Sequence, residues 1–170
     1  MKKKVATIIG GIIIAMAGFT HAQMDHSMRN QGRMSDEMMN KNRMEMKMPG
    51  GMEMHAMEIK GHKVNFHIMD KKAFRNYMDT MGHKDHSMKE GMSHYVLMDI
   101  TDPKGMKVKS SKVKLKVIGP DKKADEKTAF PMMGDFGAEF DMSRKGKYQI
   151  MTLFQVKNKK HHGGFWHEIE

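Results

Sequence analysis

The chain has 170 residues, a formal net charge of +10, 24 methionines and no cysteine. Without cysteine it can form neither disulfides nor thiolate metal sites, which excludes blue-copper centres and covalent c-type haem attachment. The sequence also lacks the Gly-x-Ser-x-Gly, His-Glu-x-x-His and phosphate-binding glycine motifs, so we expect a binding protein and not an enzyme.

Residues 1–22 have the pattern of a secretory signal peptide. Residues 2–4 are three lysines, residues 5–19 are almost entirely apolar, and Thr20-His21-Ala22 matches a cleavage site. An uncleaved anchor helix is the alternative, but the apolar stretch is short for a membrane span. We therefore expect cleavage near Ala22 and a periplasmic or secreted protein. Loss of the three lysines leaves a net charge of +7.

The remaining positive charge is typical of a solvated sheet. In residues 112–117 lysine alternates with valine and leucine, which places the lysines on the water-facing side of a strand. An exported protein rarely meets nucleic acid. Neither nucleic acid nor stable membrane insertion is therefore expected.

Residues 23–52 are predicted to form a disordered, methionine-rich tail. Residues 23–51 contain no Val, Ile, Leu, Phe, Tyr or Trp, so the segment cannot bury enough surface to offset its ordering entropy. Pro49-Gly50-Gly51 ends it like a linker. An amphipathic helix would use the i, i+4 spacing of Met34 and Met38, but Met44, Met46 and Met48 repeat every two residues.

Residues 53–170 are predicted to form an antiparallel β-sandwich. Val64, Phe66 and Ile68 alternate with polar residues, and Asp70 can cap a short helix that ends near Met81. Short strands separated by turn residues follow, as in an immunoglobulin-like fold. They are predicted at 94–100, 111–118, 128–131, 138–142, 148–156 and 164–169. The stretch 143–148 resembles a tyrosine corner.

A family resemblance rests on five segments that occur in this order: His94-Tyr95-Val96 with its DITDPKG turn, KVKLKVIGPD, Met132-Met133-Gly134, Phe136-Gly137-Ala138 and KGKYQI. Residues 58–170 resemble the exported immunoglobulin-like domains of the CopC-type and YtkA-like group. The resemblance implies a periplasmic sandwich with Met and His copper ligands. The N-terminal histidine that CopC-type domains use for Cu(II) is absent, since cleavage leaves Gln23 first. The tail separately resembles silver- and copper-binding proteins built from Met/His repeats.

Methionine and histidine recur one residue apart, which places both side chains on one side of an extended chain. Thioether sulfur prefers Cu(I) and Ag(I), whereas imidazole suits either copper oxidation state. The string DHSM occurs at 25–28 and again at 85–88. The number of such pairs is about twice that expected from composition. The pairs are Met24/His26, His26/Met28, His55/Met57, His67/Met69, Met81/His83, His86/Met88 and Met92/His94.

The predicted metal ligands fall into four groups. The main group is the cluster Met81, His83, His86, Met88, Met92 and His94; the others are His67 with Met69, Met132 with Met133, and the tail residues Met24, His26 and Met28. Met78, Met98 and Met151 are predicted to fill the core, because methionine packs adaptably. His161, His162 and His167 are expected to be exposed in the terminal hairpin. The alternative there is a copper ion capped by Trp166.

These patterns predict an exported protein that sequesters or delivers Cu(I), with Ag(I) as the alternative ion, in metal tolerance or homeostasis. The expected partners are the metal ion and a copper exporter, an oxidase or another periplasmic copper protein. Two further interpretations stay open. One is a methionine-rich protein that binds partners or buffers oxidants, and the other is a purely structural sandwich.

Overall fold

The structure is a computed structural model, and it describes residues 44–48, 50–83, 87–109 and 112–170. Within these residues there are ten strands and one helix, α1, at Lys71–Thr80. The strands are β1 Met44–Met48, β2 Met52–Ile59, β3 His62–Asp70, β4 His94–Thr101, β5 Val113–Ile118, β6 Ala124–Thr128, β7 Phe130–Met132, β8 Asp135–Phe140, β9 Gly146–Val156 and β10 Lys159–Ile169. No helix among them is long and apolar enough to span a membrane.

The strands form two antiparallel sheets. Sheet A has the order β1-β2-β3-β4-β8-β7, and sheet B has the order β10-β9-β5-β6. The predicted all-β antiparallel sandwich with one short helix is therefore confirmed. β2 of sheet A packs against β10, an edge strand of sheet B.

The main core lies between the inner faces of the two sheets. Phe66 and Met98 contribute from sheet A, and Phe154 and Phe165 contribute from sheet B, all of them fully buried. Each such side chain stabilises the fold by about 1.5–3 kcal/mol relative to an exposed one. Met98 and Met151 are buried, as the sequence predicts.

A second, smaller core forms where α1 covers part of the outer face of sheet A. Asp70 caps the helix as predicted, because its carboxylate accepts a hydrogen bond from the Ala73 amide at 2.7 Å. The buried residues of this helix core are Met69, Ala73, Phe74, Met78, Tyr95 and Leu97. The rings of Phe74 and Tyr95 stack with centroids 4.5 Å apart. On β2 this core reaches only Met52, at the start of the strand.

Two tight hairpins set the register at one end of the sandwich. Lys60 and Gly61 between β2 and β3 both have positive φ, as do Lys157 and Asn158 between β9 and β10; this is the signature of a two-residue type I′ turn. The tyrosine corner is also present, since the Tyr148 hydroxyl donates to the Arg144 carbonyl at 2.8 Å.

The structure corrects the sequence analysis in two places. Residues 44–48, predicted to belong to a disordered tail, form strand β1 because they pair with β2; residues 23–43 lie outside the described part of the chain. His161 and His167, expected to be exposed, are 7% and 3% exposed. Alternation along β10 points both rings into the sandwich and Trp166 to the opposite face. These two histidines therefore do not share a face with the indole.

Candidate metal sites

The predicted cluster at residues 81–94 is only partly brought together. His83, Met92 and Met132 line one cleft beside α1, whereas Met81 is exposed at the helix C-terminus and Met88 packs against the helix core. His86 lies outside the described residues. The cleft has a volume of about 620 Å³, and Phe74, Met78 and Tyr95 also line it.

The ammonium group of Lys127 lies beside the sulfur of Met92, one of the methionines that line this cleft. The Nζ atom of Lys127 lies 3.4 Å from the Met92 sulfur and also donates to the Glu139 carbonyl. The same group forms an ion pair with Asp125 at 3.1 Å. The Lys127 ammonium therefore occupies the space beside the Met92 sulfur that a bound cation would need, and its charge would repel that cation.

His94 belongs to a different part of the molecule. It pairs with Asp70 and Phe140 in the ladder of sheet A, and its Nδ1 atom lies 2.9 Å from the Ser93 hydroxyl. Burial lowers the pKa of His94, and the carboxylates of Asp70 and Asp141 act in the opposite direction. Its ring is therefore more often neutral than that of an exposed histidine, but it is not among the residues that line the cleft.

The other predicted ligands are scattered. Met69 is fully buried in the helix core, so it does not lie on an exposed polar face as the strand pattern suggested. Met132 is half-buried, and Met133, at positive φ in the turn after β7, is 63% exposed. The tail residues Met24, His26 and Met28 lie outside the described part of the chain.

His67, by contrast, lies in line with two methionines that were not predicted as ligands, Met54 of the sandwich domain and Met46 of the predicted tail. Met46 of β1 pairs with Met54 of β2, and Met54 pairs with His67 of β3. Directly opposed residues of neighbouring antiparallel strands share a face, with Cβ atoms about 4.5–5.5 Å apart. We call Met46, Met54 and His67 the thioether row. Met46 is 46% exposed, and the other two are half-buried.

A carboxylate that is held by an amide lies beside the histidine of the thioether row. The Nε2 atom of His67 lies 3.6 Å from the Asp99 carboxylate. Asn65 donates from its side-chain nitrogen to both Asp99 oxygens, at 3.0 and 3.1 Å. Metal-binding histidines commonly hold a carboxylate with the nitrogen that does not face the metal. The arrangement therefore directs Nε2 toward Asp99 and leaves Nδ1 as the donor for an ion.

The thioether row could have been recognised from one signal in the sequence. Met44, Met46 and Met48 repeat every two residues, and so do Met52 and Met54 after the Gly50-Gly51 turn. Two period-two runs separated by glycines are the pattern of a hairpin. The absence of β-branched and aromatic residues in the first run hid this pattern, because such residues are the usual marks of a strand.

Buried and half-buried histidines form two further groups between β2 or β3 and β10. His55 and His167 lie with Glu53 at one end, and donor atoms of the three residues are within 4.8 Å of one another. His62 and His161 lie at the other end, with ring centroids 4.9 Å apart, and His161 stacks on Phe154. Burial, followed by the charges of His62, Lys60, Lys159 and His162, lowers the pKa of His161.

Comparison with family models, with curated proteins and with solved structures finds no match for this chain. The chemistry of the side chains is therefore the ground on which a function is proposed. Two arrangements of soft donors stand out among the described residues: the cleft, with Lys127 beside its sulfur, and the thioether row, with Asp99 beside its imidazole.

Proposed function

We propose that this chain is an exported copper-binding protein that holds Cu(I), or Ag(I), on the thioether row. The observation that carries the proposal is the in-register alignment of Met46, Met54 and His67 across three neighbouring strands. Two thioethers and one imidazole form a donor set suited to a soft monovalent ion. Since the sulfurs need no deprotonation, this set functions in an oxidising compartment without cysteine.

The surroundings of the thioether row favour a cation. The Asp99 carboxylate lies 3.6 Å from the His67 ring, and its side chain is 16% exposed. A partly buried negative charge near the ion stabilises it more strongly than an exposed one would. The carboxylate also faces Nε2 of His67, which leaves Nδ1 as the nitrogen for the metal.

The exposure of the row favours exchange of the ion with a partner. Met46 lies on edge strand β1 and is 46% exposed, so a second protein can approach the ion from this side. An ion on a sheet surface passes to another set of soft ligands more readily than one enclosed in a core. We therefore propose sequestration or delivery in metal tolerance or homeostasis, with a copper exporter, an oxidase or another periplasmic copper protein as the recipient.

The experiment is a competition between the full chain and a chromophoric Cu(I) chelator under reducing conditions, together with metal analysis of the isolated protein. The chain should remove Cu(I) from the chelator, and the triple variant Met46→Leu, Met54→Leu, His67→Gln should lose this ability. The matched control changes the same residue types in the cleft: Met92→Leu, Met132→Leu and His83→Gln. Equal loss in both variants, or no competition by the parent chain, would contradict the proposal.

A second candidate function is buffering of oxidants by exposed methionine. Among the described residues, four of the five exposed large hydrophobic side chains are methionines; the four are Met46, Met81, Met106 and Met133. Exposed methionine is oxidised reversibly to the sulfoxide. Protection of a reporter protein from peroxide should then depend on these methionines and not on His67, whereas copper binding depends on His67.

A further inference from the structure

Strand β2 carries chemically different side chains on its two faces. Met54 belongs to the thioether row on the outer face, while its neighbours Glu53 and His55 turn toward sheet B. His55 is 1% exposed, and its ring stacks on Phe165 of β10 with centroids 4.3 Å apart. The next two residues on the inner face of β2, Met57 and Ile59, are apolar core residues. His55 is therefore a buried imidazole on an otherwise apolar part of this face.

The edge strand of sheet B supplies a second imidazole to the same place. His167 of β10 is 3% exposed, and its ring meets that of His55 edge-on with centroids 5.4 Å apart. Its Nδ1 atom lies 3.5 Å from a Glu53 carboxylate oxygen. Two imidazoles and one carboxylate thus converge from two strands that belong to different sheets.

The distances are close to those of a metal centre. One donor atom from each of the three residues lies within 4.8 Å of the others. Around a tetrahedral ion with metal–donor bonds of about 2.0–2.2 Å, the donors are about 3.4 Å apart. The upper limit of 4.8 Å exceeds this spacing by about 1.4 Å, so small side-chain shifts would bring the three donors to one ion. Glu53 is 25% exposed, so the cluster also has an access route from solvent.

We infer that Glu53, His55 and His167 form a second metal site, and that it takes a divalent ion of intermediate softness, Cu²⁺ or Zn²⁺. Imidazole and carboxylate donors suit these ions, whereas thioether donors suit Cu(I) and Ag(I). The site shares no ligand with the thioether row. Strand β2 therefore carries a soft-ion site on its outer face and an N/O site on its inner face, and the second does not depend on the first.

An ion bound at this site would also connect the two sheets. Glu53 and His55 lie in sheet A and His167 lies in sheet B, so one ion bound to all three would cross-link β2 to β10. An ion that binds the folded chain and not the unfolded chain raises stability by mass action. Metal binding at this site should therefore raise the unfolding temperature of the full chain.

The experiment titrates the full chain with Cu²⁺ and, separately, with Zn²⁺. Copper binding is followed by electron paramagnetic resonance, in which imidazole nitrogens split the signal, and by quenching of Trp166, the single tryptophan and the neighbour of His167 in β10. Zinc binding is followed by competition with a chromophoric chelator. We expect two coordinated imidazoles and a rise in unfolding temperature. Zinc binding without copper binding would also support the site and would identify its ion.

Three variants distinguish this site from other histidines. Glu53→Gln keeps the size of a half-exposed side chain and should weaken binding at least tenfold. His167→Gln should remove one nitrogen from the copper spectrum. His162→Gln, on the opposite face of β10, should bind like the parent chain. The inference would be overturned if Glu53→Gln kept the copper spectrum and the copper affinity of the parent chain. This includes the case in which the copper signal arises only from the histidines of the tail. Glu53→Gln should keep its Cu(I) affinity, so the result is independent of the thioether row.

Discussion

The thioether row and the cleft beside α1 contain the same types of donor, yet their surroundings differ in charge. The row has His67 beside the Asp99 carboxylate, whereas the cleft has Met92 beside the Lys127 ammonium. Two charges 4 Å apart interact by about 4 kcal/mol at the effective dielectric constant near a protein surface. If the proposed function is correct, soft donors close in space are not enough for a cation site, and the sign of the nearest fixed charge also matters.

The strongest test of this comparison places a positive charge in the thioether row, as Lys127 does in the cleft. Met54→Lys removes one ligand and places an ammonium between Met46 and His67. Loss of the ligand and repulsion of the ion together should lower Cu(I) affinity on the order of 1,000-fold, about 4 kcal/mol. Chelator competition measures the effect. Met54→Leu serves as the control that loses the ligand alone, and equal affinity in the two variants would show that charge is unimportant.

A second test separates methionine that packs from methionine that is proposed to bind metal. Met69 is fully buried, whereas Met54 is half-buried on the same face of the sheet. Met69→Ala should lower the free energy of unfolding by about 3 kcal/mol, because it leaves a cavity in the helix core. Met54→Ala should cost less than about 1 kcal/mol, as expected away from a packed core. Urea denaturation of the metal-free protein measures both. Similar losses would mean that the row is also part of the core.

Removing the charge of Asp99 should have a smaller effect on the row. Asp99→Asn keeps the shape of the side chain but weakens its hold on His67, and outer partners of this kind change metal affinity about 10–100-fold. We expect the lower end of that range, about tenfold, because His67 keeps its position in β3. Asp125→Asn, beside Lys127 in the cleft, is the matched control. It should leave Cu(I) affinity unchanged, and a loss as large as that of Asp99→Asn would argue against the row.

The smallest expected effect concerns the stability of the fold in acid. It comes from His161, at the end of the sandwich opposite to His55 and His167. Burial and the positive charges of Lys60, Lys159 and neighbouring histidines lower the pKa of His161 below 6.5. The unfolded chain therefore binds this proton more readily than the folded chain does. The neutral ring contributes stability above pH 6.5, and this contribution is lost as the pH falls through the lowered pKa.

His161→Phe keeps the stacking on Phe154 and removes the titration. The variant should lose less thermal stability than the parent between pH 7.5 and pH 5.5, as measured by unfolding temperature. Some acid sensitivity should remain, because burial also lowers the pKa of His94. An identical pH dependence in parent and variant would mean that His161 does not titrate in this range.

The sequence predicted those parts of the fold that alternation and turn residues mark clearly. The strand at Val64–Ile68, the helix capped by Asp70 and the tyrosine corner at Tyr148 all agree with the structure. Strands β1 and β2 were not predicted as strands. Methionine and glutamate are weak strand signals, and His55 interrupts the apolar inner face of β2 with a buried polar ring.

The candidate site was harder to predict for a related reason. His67 was selected from its i, i+2 spacing with Met69, but its cross-strand neighbours are Met54 and Leu97. Register between strands brings together residues that are far apart in the chain, and spacing along one strand carries no information about it. The same limit hid the approach of His55 to His167, which are separated by almost the whole sandwich domain in sequence.

The proposed function requires that a soft monovalent ion binds at Met46 and Met54. The most direct measurement is a titration of the full chain with Ag(I), followed by the ¹³C-methyl resonances of its methionines, with assignments from single Met→Leu variants. We expect the Met46 and Met54 methyl signals to shift first and to reach saturation together, while those of Met92 and Met132 stay in place. Earlier saturation of the Met92 and Met132 signals, with Met46 and Met54 unmoved, would contradict it.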